Sequence, residues 1–406
     1  PCFEAARFQD PFQQPSLMTQ PTSVHDSSAA RIVLTAALAL AVAVGIGRFA
    51  FTPLLPMMMS DAGVSLTEGG WLATANYAGY LLGAMTAGRL PARHAHSAMR
   101  TGLTVIVLAT GLMAWAQGFA VWMILRALAG IASAWVMVHV SAWCLRELAQ
   151  RQRTELSARV FGGVGTGIAV TGLMVLGLAV LNAGSAQAWM LCGLLALLLA
   201  GAAWPGLRVS RGLPPTHEDA TCAGPHDLRL VLCYGAFGLG YIIPATFLPA
   251  LAREAMPDPL VFNWIWPFFG FVAVMSTVLA ERAQRRFSPL TLWIISHLVM
   301  AAGVALLAFQ QHMIAIVLSA LCVGGTFMVA TVGGFQVARQ LAPHGRATRL
   351  IAAMTAAFAL GQIAGPLLLA WSGHSLGVGA SLALGTTVLL LSAWALSRIQ
   401  VRANVA

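Results

Sequence analysis

The chain of 406 residues is 58% apolar and only 9% charged, whereas a soluble domain carries about 25% charged residues. This excludes the pair of soluble domains that length alone would allow. The net charge of +10 would suit a nucleic-acid partner, but its arginines are scattered among apolar runs, which fits membrane orientation and contact with anionic lipid heads instead.

About 20 consecutive apolar residues cross a bilayer as one helix. Such segments fall near 32–57, 70–90, 100–117, 120–145, 159–182, 186–204, 228–251, 261–281, 290–310, 313–338, 349–371 and 376–397. They are numbered here as spans 1 to 12. The expected fold is an all-α membrane protein of twelve transmembrane helices. A β-barrel is excluded, because its strands are about ten residues long and alternate in polarity.

All 23 basic residues are Arg. Twenty lie in the two tails, in every second gap between spans or at the span ends bordering those gaps, Arg253 lies in an opposite gap, and Arg48 and Arg126 lie deep inside spans. This is the positive-inside pattern of a multi-pass membrane protein with both termini in the cytoplasm. Arginine at membrane depth is costly and usually functional, so these two become leading candidates.

In chain order, residues 1–30 are polar, contain Pro and show no periodicity, and are expected to be a disordered cytoplasmic tail. Met18 is a candidate start, so residues 1–17 are expected to carry no function. The first apolar run is too long for the core of a signal peptide and is expected to remain as a span.

Span 1 contains Gly45-Ile46-Gly47-Arg48 and closes on Leu54-Leu55-Pro56. Running outward from Arg31, it carries Arg48 roughly 6 Å beyond the midplane at about 1.5 Å per residue. None of the 13 acidic residues lies in the middle of a span; Glu281, at the end of span 8, comes nearest. A guanidinium without a counter-ion suits a carboxylate or phosphate ligand. The alternative is a structural arginine held by helix-end carbonyls, by Asp61 or by Glu68.

Span 2 carries Asn76, Tyr77 and Tyr80, with Asn76 and Tyr80 on one face. Asn76 falls near the depth of Arg48, and Gly79, Gly83 and Ala87 form a neighbouring seam of small residues. These side chains suit an oxygen-bearing organic ligand, or interhelical hydrogen bonds. In span 4, Arg126 precedes Gly130 and Ala134, a small-residue face that permits close packing. Arg126 reads either as a packing arginine bonded to backbone or as a second cation in the same cavity. His139 shares its face and is the most central histidine, a candidate proton carrier or a packing residue. His297 in span 9 is a weaker candidate.

Residues 205–227 are the longest internal polar stretch and divide the chain into halves of six spans, 31–204 and 228–398, with a short cytoplasmic tail at 399–406. Span 7 repeats the start of span 1: Gly238-Leu239-Gly240-Tyr241, then Phe247-Leu248-Pro249. The Gly pairs, the closing prolines and the pair Trp71 and Trp264 are all offset by 193 positions. Parallel six-helix repeats with Gly and Pro in corresponding helices point to bent helices around a central site. Tyr241 and Thr246 in span 7, Gln336 in span 10 and Gln362 in span 11 are further polar points facing that expected site. The Met, Phe and Trp stripes read as lipid-facing or packing residues.

Six cysteines without paired spacing read as small core residues. The chain has no Lys, so a phosphate-binding Walker loop is impossible. No nucleophile–base pair or metal-ligand cluster is evident. No cofactor and no enzymatic activity are expected.

The run from Gly45 through Arg48 and Phe49 to Pro56 resembles the signature of the YbfB/YjiJ-like bacterial branch of the major facilitator superfamily. So do Ala75-Asn76-Tyr77-Ala78-Gly79-Tyr80 with Gly83, Gly238-Leu239-Gly240-Tyr241 followed by Thr246-Phe247-Leu248, and Gly361-Gln362-Ile363-Ala364-Gly365-Pro366. Arg126 with Gly130 resembles the span-4 arginine motif of the wider superfamily. The resemblance, over about 31–400, implies twelve helices, two pseudo-symmetric halves and alternating access in the cytoplasmic (inner) membrane of a bacterium. One departure is the loop Gly88-Arg89-Leu90-Pro91-Ala92-Arg93-His94, which lacks the superfamily's acidic residue; Glu281-Arg282 with Arg285-Arg286 is the expected contact in the second half.

These readings converge on a monomeric secondary transporter of a small anionic or oxygen-rich organic solute. The alternatives are a proton-coupled exporter of drugs or metabolites, or a non-transporting membrane sensor with the same fold. The expected substrate-binding set is Arg48, Asn76, Tyr77, Tyr80, Arg126, Tyr241, Thr246, Gln336 and Gln362, with His139 as the proton-coupling candidate.

Overall fold

The computed structural model describes residues 22–207, 226–255, 264–310, 312–342, 346–373 and 377–399. Each expected span has its helix. Span 1 is built of three pieces, Thr22–Leu40, the π-helical Ala41–Ile46 and Phe51–Asp61. Spans 2 to 6 are Leu66–Ala87, Ala95–Leu112, Phe119–Gln150, Ser157–Val180 and Ser185–Ala203. Spans 7 to 12 are Asp227–Ala255, Ile265–Ala283, Pro289–Phe309, Met313–Leu341, Arg346–Gly373 and Gly377–Ser397. Nine membrane-length apolar helices are found among the described residues. Spans 2, 3 and 7 pack among them.

The first helix begins at Thr22, so the tail expected to be disordered through residue 30 is helical over its last part. Once span 1 has nucleated a helix, extending it backwards adds a hydrogen bond per residue at little cost. The rest of that tail, most of the 205–227 stretch and residues 400–406 lie outside the described residues.

The contacts repeat with a period of six spans. Span 2 packs on 4 as 8 packs on 10; span 3 packs on 4 and 6 as 9 packs on 10 and 12; span 1 packs on 5 and 6 as 7 packs on 11 and 12. The first six spans meet the last six chiefly through the pairs 5 with 8 and 2 with 11. The seam of spans 2 and 4 rests on glycine: a Cβ on Gly130 would lie 2.2 Å from the Asn76 carbonyl oxygen, and one on Gly79 would lie 2.1 Å from that of Ala127. Trp71 and Trp264, the pair 193 positions apart, are exposed to the same degree, 54% and 55%. Amphipathic rings so placed suit a membrane–water boundary.

The Arg-rich end is tied between the halves. Arg159 of span 5 forms a two-pronged ion pair with Glu281 of span 8, Nη2 to Oε1 at 2.9 Å and Nε to Oε2. The Gln336 amide of span 10 donates to Ser157 Oγ at 2.6 Å and lies within 3.1 Å of Gln284 Oε1. At the opposite end, Asp61 accepts from the Ser185 hydroxyl at 2.7 Å and from its N–H, capping span 6. Glu68 closes a capping box with Ser65 at the start of span 2.

Candidate central site

The site starts from a backbone fault in span 1. Between Ala41 and Ile46 the hydrogen bonds lengthen to the π pattern, with Gly47 N–H reaching Val42 O at 2.9 Å and Phe49 N–H reaching Val44 O at 3.2 Å. Four residues of turn follow before the helix resumes at Phe51. Pro53 contributes to the fault, since it has no N–H and its ring crowds the carbonyl four residues earlier. π-bulges of this kind recur at functional sites.

Such a fault frees carbonyls that must find other donors. Spans 2 and 4 supply them. Ser133 Oγ sits 2.6 Å from Ala43 O. The Arg126 guanidinium donates to Gly47 O and Arg48 O, both at 3.3 Å, and its carbon lies 4.6 Å from the centre of the Phe51 ring. The Asn76 amide donates to Arg126 O at 3.0 Å and to Gly47 O at 3.4 Å. Arg126 and Asn76 therefore clasp the fault through main-chain acceptors.

The fault turns Arg48 into the centre of the molecule. Its side chain is 5% exposed, and its carbon lies 3.9 Å from the centre of the Tyr80 ring and 5.8 Å from that of Tyr77. Its Nη2 donates to Oε1 of Gln362, a span-11 residue of the other half. Its Nε has no hydrogen-bond partner, and among the described residues no carboxylate pairs with it. Asp61 and Glu68 are engaged elsewhere.

Arg48 lines a cavity of ≈ 20 Å³ with Phe49, Tyr80, Tyr234, Tyr241, Phe327 and Phe358, joined by Thr331, Thr355 and several aliphatic side chains. That is room for about one water molecule. Rings from the two halves meet across it: Phe49 lies 6.5 Å from Tyr241, 6.2 Å from Trp266 and 6.3 Å from Phe327.

The structure thus gathers Arg48, Tyr77, Tyr80, Tyr241 and Gln362, and sets Asn76 and Arg126 directly behind them. Gln336 lies apart, in the Arg-rich tie with Ser157 and Gln284. His139 is buried, with no partner at Nε2, and does not line the cavity. The Thr246 side chain lies outside the described residues. Sequence reading missed Phe49, Phe327 and Phe358, which belong to the residue types it left among packing stripes, and it gave Tyr234 no role. Composition held one signal: the chain has only four tyrosines, and all four surround Arg48.

A helical bundle of this topology, with a charged cavity between pseudo-equivalent sets of six spans, is the architecture of a membrane transporter. The family described as "Uncharacterised MFS-type transporter YbfB" matches residues 40–397. The chain belongs to that family, whose fold is that of transporters and not of enzymes. It is 28% identical over 222 residues to the "Uncharacterized MFS-type transporter YceJ" of Bacillus subtilis (strain 168), a match covering 50% of this chain and 54% of that relative. The chain thus spans about half the length of this curated relative. Among solved structures it is similar in fold to the human organic anion transporter MFSD10 (TETRAN), with a TM-score of 0.71 at 14% identity, over 93% of this chain and all of that one.

Proposed function

We propose that the protein is a secondary transporter of a small organic anion, working by rocking of residues 31–204 against residues 228–398 around the Arg48 cavity. The observation that carries this reading is a buried guanidinium between the halves whose partners are a neutral amide and aromatic rings. Arginine cannot shed its proton, and an unpaired charge in a dry interior is strongly unfavourable. An anionic solute removes that penalty while it is bound.

In this reading Arg48 anchors the anion beside Gln362, Tyr77, Tyr80 and Tyr241 wall it in, and Arg126 and Asn76 keep the fault of span 1 in shape. Thr246 is carried as a wall residue on sequence grounds alone. Gln336 acts with Arg159 and Glu281 at the Arg-rich end, taken as the cytoplasmic side on the positive-inside pattern; the bacterial inner membrane is taken from the family resemblance. His139 is the candidate for any coupled proton. The organic anion named for the human structural neighbour is of the same substrate class.

The test is uptake and efflux of labelled organic anions in proteoliposomes, wild type beside Arg48→Ala. Flux that depends on Arg48 is the expected result. Equal flux in the variant removes Arg48 as the anchor, and absence of flux for any of a broad solute panel favours the sensor alternative.

A further inference from the structure

We propose that the ligand is a planar aromatic monocarboxylate that takes the place of Gln362 on Arg48. This rests on the anion reading above and narrows it.

The charge count comes first. Two arginines lie at this depth, but Arg126 is committed to the carbonyls of Gly47 and Arg48. One guanidinium, with Nε unpartnered, is left to face the cavity. A single cation suits a monoanion; a second carboxylate would be buried without a partner, which is costly.

The walls come second. Apart from Arg48 and the tyrosine hydroxyls, the polar groups lining the cavity are Thr331 and Thr355. Both hydroxyls already donate to their own helices, to Phe327 O at 2.8 Å and Ile351 O at 2.7 Å. Beyond the tyrosine hydroxyls, the ligand body therefore meets rings and aliphatic side chains, not free donors. Phe49 of the first half now makes edge-on contacts with Tyr241 and Phe327 of the second. When the halves part, a flat ring entering between them restores contacts of the same kind, which edge-to-face pairing favours over an aliphatic body.

The third element is Gln362. Its Oε1 is the acceptor for Arg48, while its own Nε2 is buried without a partner. A carboxylate is the stronger acceptor for guanidinium. By displacing Oε1 it breaks a direct polar link between spans 1 and 11, so binding and separation of the halves become one event.

The experiment is equilibrium binding of radiolabelled benzoate to the purified full chain in detergent at pH 7.5, with unlabelled competitors. Benzoate is expected to bind, cyclohexanecarboxylate to compete roughly tenfold less well, and succinate and benzamide not to compete. Gln362→Glu places a permanent carboxylate on Arg48; it is expected to lose benzoate affinity at least tenfold while unfolding at or above the wild-type temperature. Succinate or cyclohexanecarboxylate binding as tightly as benzoate overturns this inference and leaves the anion reading intact. Wild-type benzoate affinity in a folded Gln362→Glu variant overturns the displacement. Absence of benzoate binding overturns this inference; failure of organic phosphates to bind in the same assay as well overturns the anion reading itself.

Discussion

Spans 1 and 7 begin from the same sequence device and finish as different structures. Each carries a Gly-x-Gly followed by the residue that reaches the cavity, Arg48 in one and Tyr241 in the other, 193 positions apart. Span 1 breaks there and is clasped by Ser133, Asn76 and Arg126. Span 7 runs as one helix from Asp227 to Ala255, and Tyr241 stacks on Phe327 with centroids 5.3 Å apart and planes at 16°. The position 193 residues beyond Asn76 is Phe269, which stacks on Trp266 instead of bonding to backbone. Paired glycines allow close approach in both halves. Only where polar side chains stand opposite can the backbone stay open, because freed carbonyls need donors.

The largest expected effect comes from removing that clasp. Arg126→Ala leaves the Arg48 carbonyl without its side-chain donor in a dry interior, at about 1–3 kcal/mol, and leaves Gly47 O with only the longer bond from Asn76. The Phe51 contact, worth about 1 kcal/mol, goes too. A loss of about 3 kcal/mol is expected, seen as a large fall in the thermal unfolding temperature of the detergent-purified protein. A variant as stable as wild type would mean that the fault in span 1 holds itself open, and the contrast with span 7 would lose its cause.

The shared part of the device can be broken in both halves. A Cβ on Gly45 would lie 2.6 Å from Gly167 Cα, and one on Gly238 would lie 2.3 Å from Phe358 O. Backbone cannot yield to either without a helix moving. Gly45→Ala and Gly238→Ala are each expected to cost about 2 kcal/mol by overpacking. Unfolding curves showing one of the pair neutral would mean that the matching glycines do not do matching work.

Much of this contrast could be read from the chain. The number and order of spans followed from apolar runs, because a bilayer fixes helix length. The equivalence of Arg48 and Tyr241 followed from a constant offset. The clasp was half legible. Asn76 and Arg126 each carried two readings, ligand or backbone, and a sequence cannot say which carbonyls a break will free. The π turn at Ala41–Ile46 left no mark beyond Gly45 and Pro53, and its partner Ser133 looks like any small residue on a packing face. The aromatic wall was illegible for a different reason: Phe327 and Phe358 on apolar helices look alike whether they face lipid or a neighbour.

A smaller effect sharpens the comparison within span 1. Ser133 Oγ lies close to both Ala43 O and its own Ala129 O, so Ser133→Ala removes one donor shared between two acceptors. About 1 kcal/mol is expected, well below the effect of Arg126→Ala in the same assay. Similar losses for the two would place the weight of the clasp on the π turn and not on the carbonyls beside Arg48.

The smallest effect belongs to span 7. Tyr241 is fully buried, and its hydroxyl has no hydrogen-bond partner among the described residues. Tyr241→Phe keeps the ring and deletes that hydroxyl. An unpaired buried hydroxyl is itself unfavourable, so stability should be unchanged or rise by up to about 1 kcal/mol. The same substitution would be costly if span 7 were held, like span 1, by a polar bond at this position. A fall in unfolding temperature would therefore give Tyr241 a protein partner and erase the difference between the halves. An unchanged temperature with weakened anion binding would assign the hydroxyl to the solute, the role its position opposite Arg48 suggests.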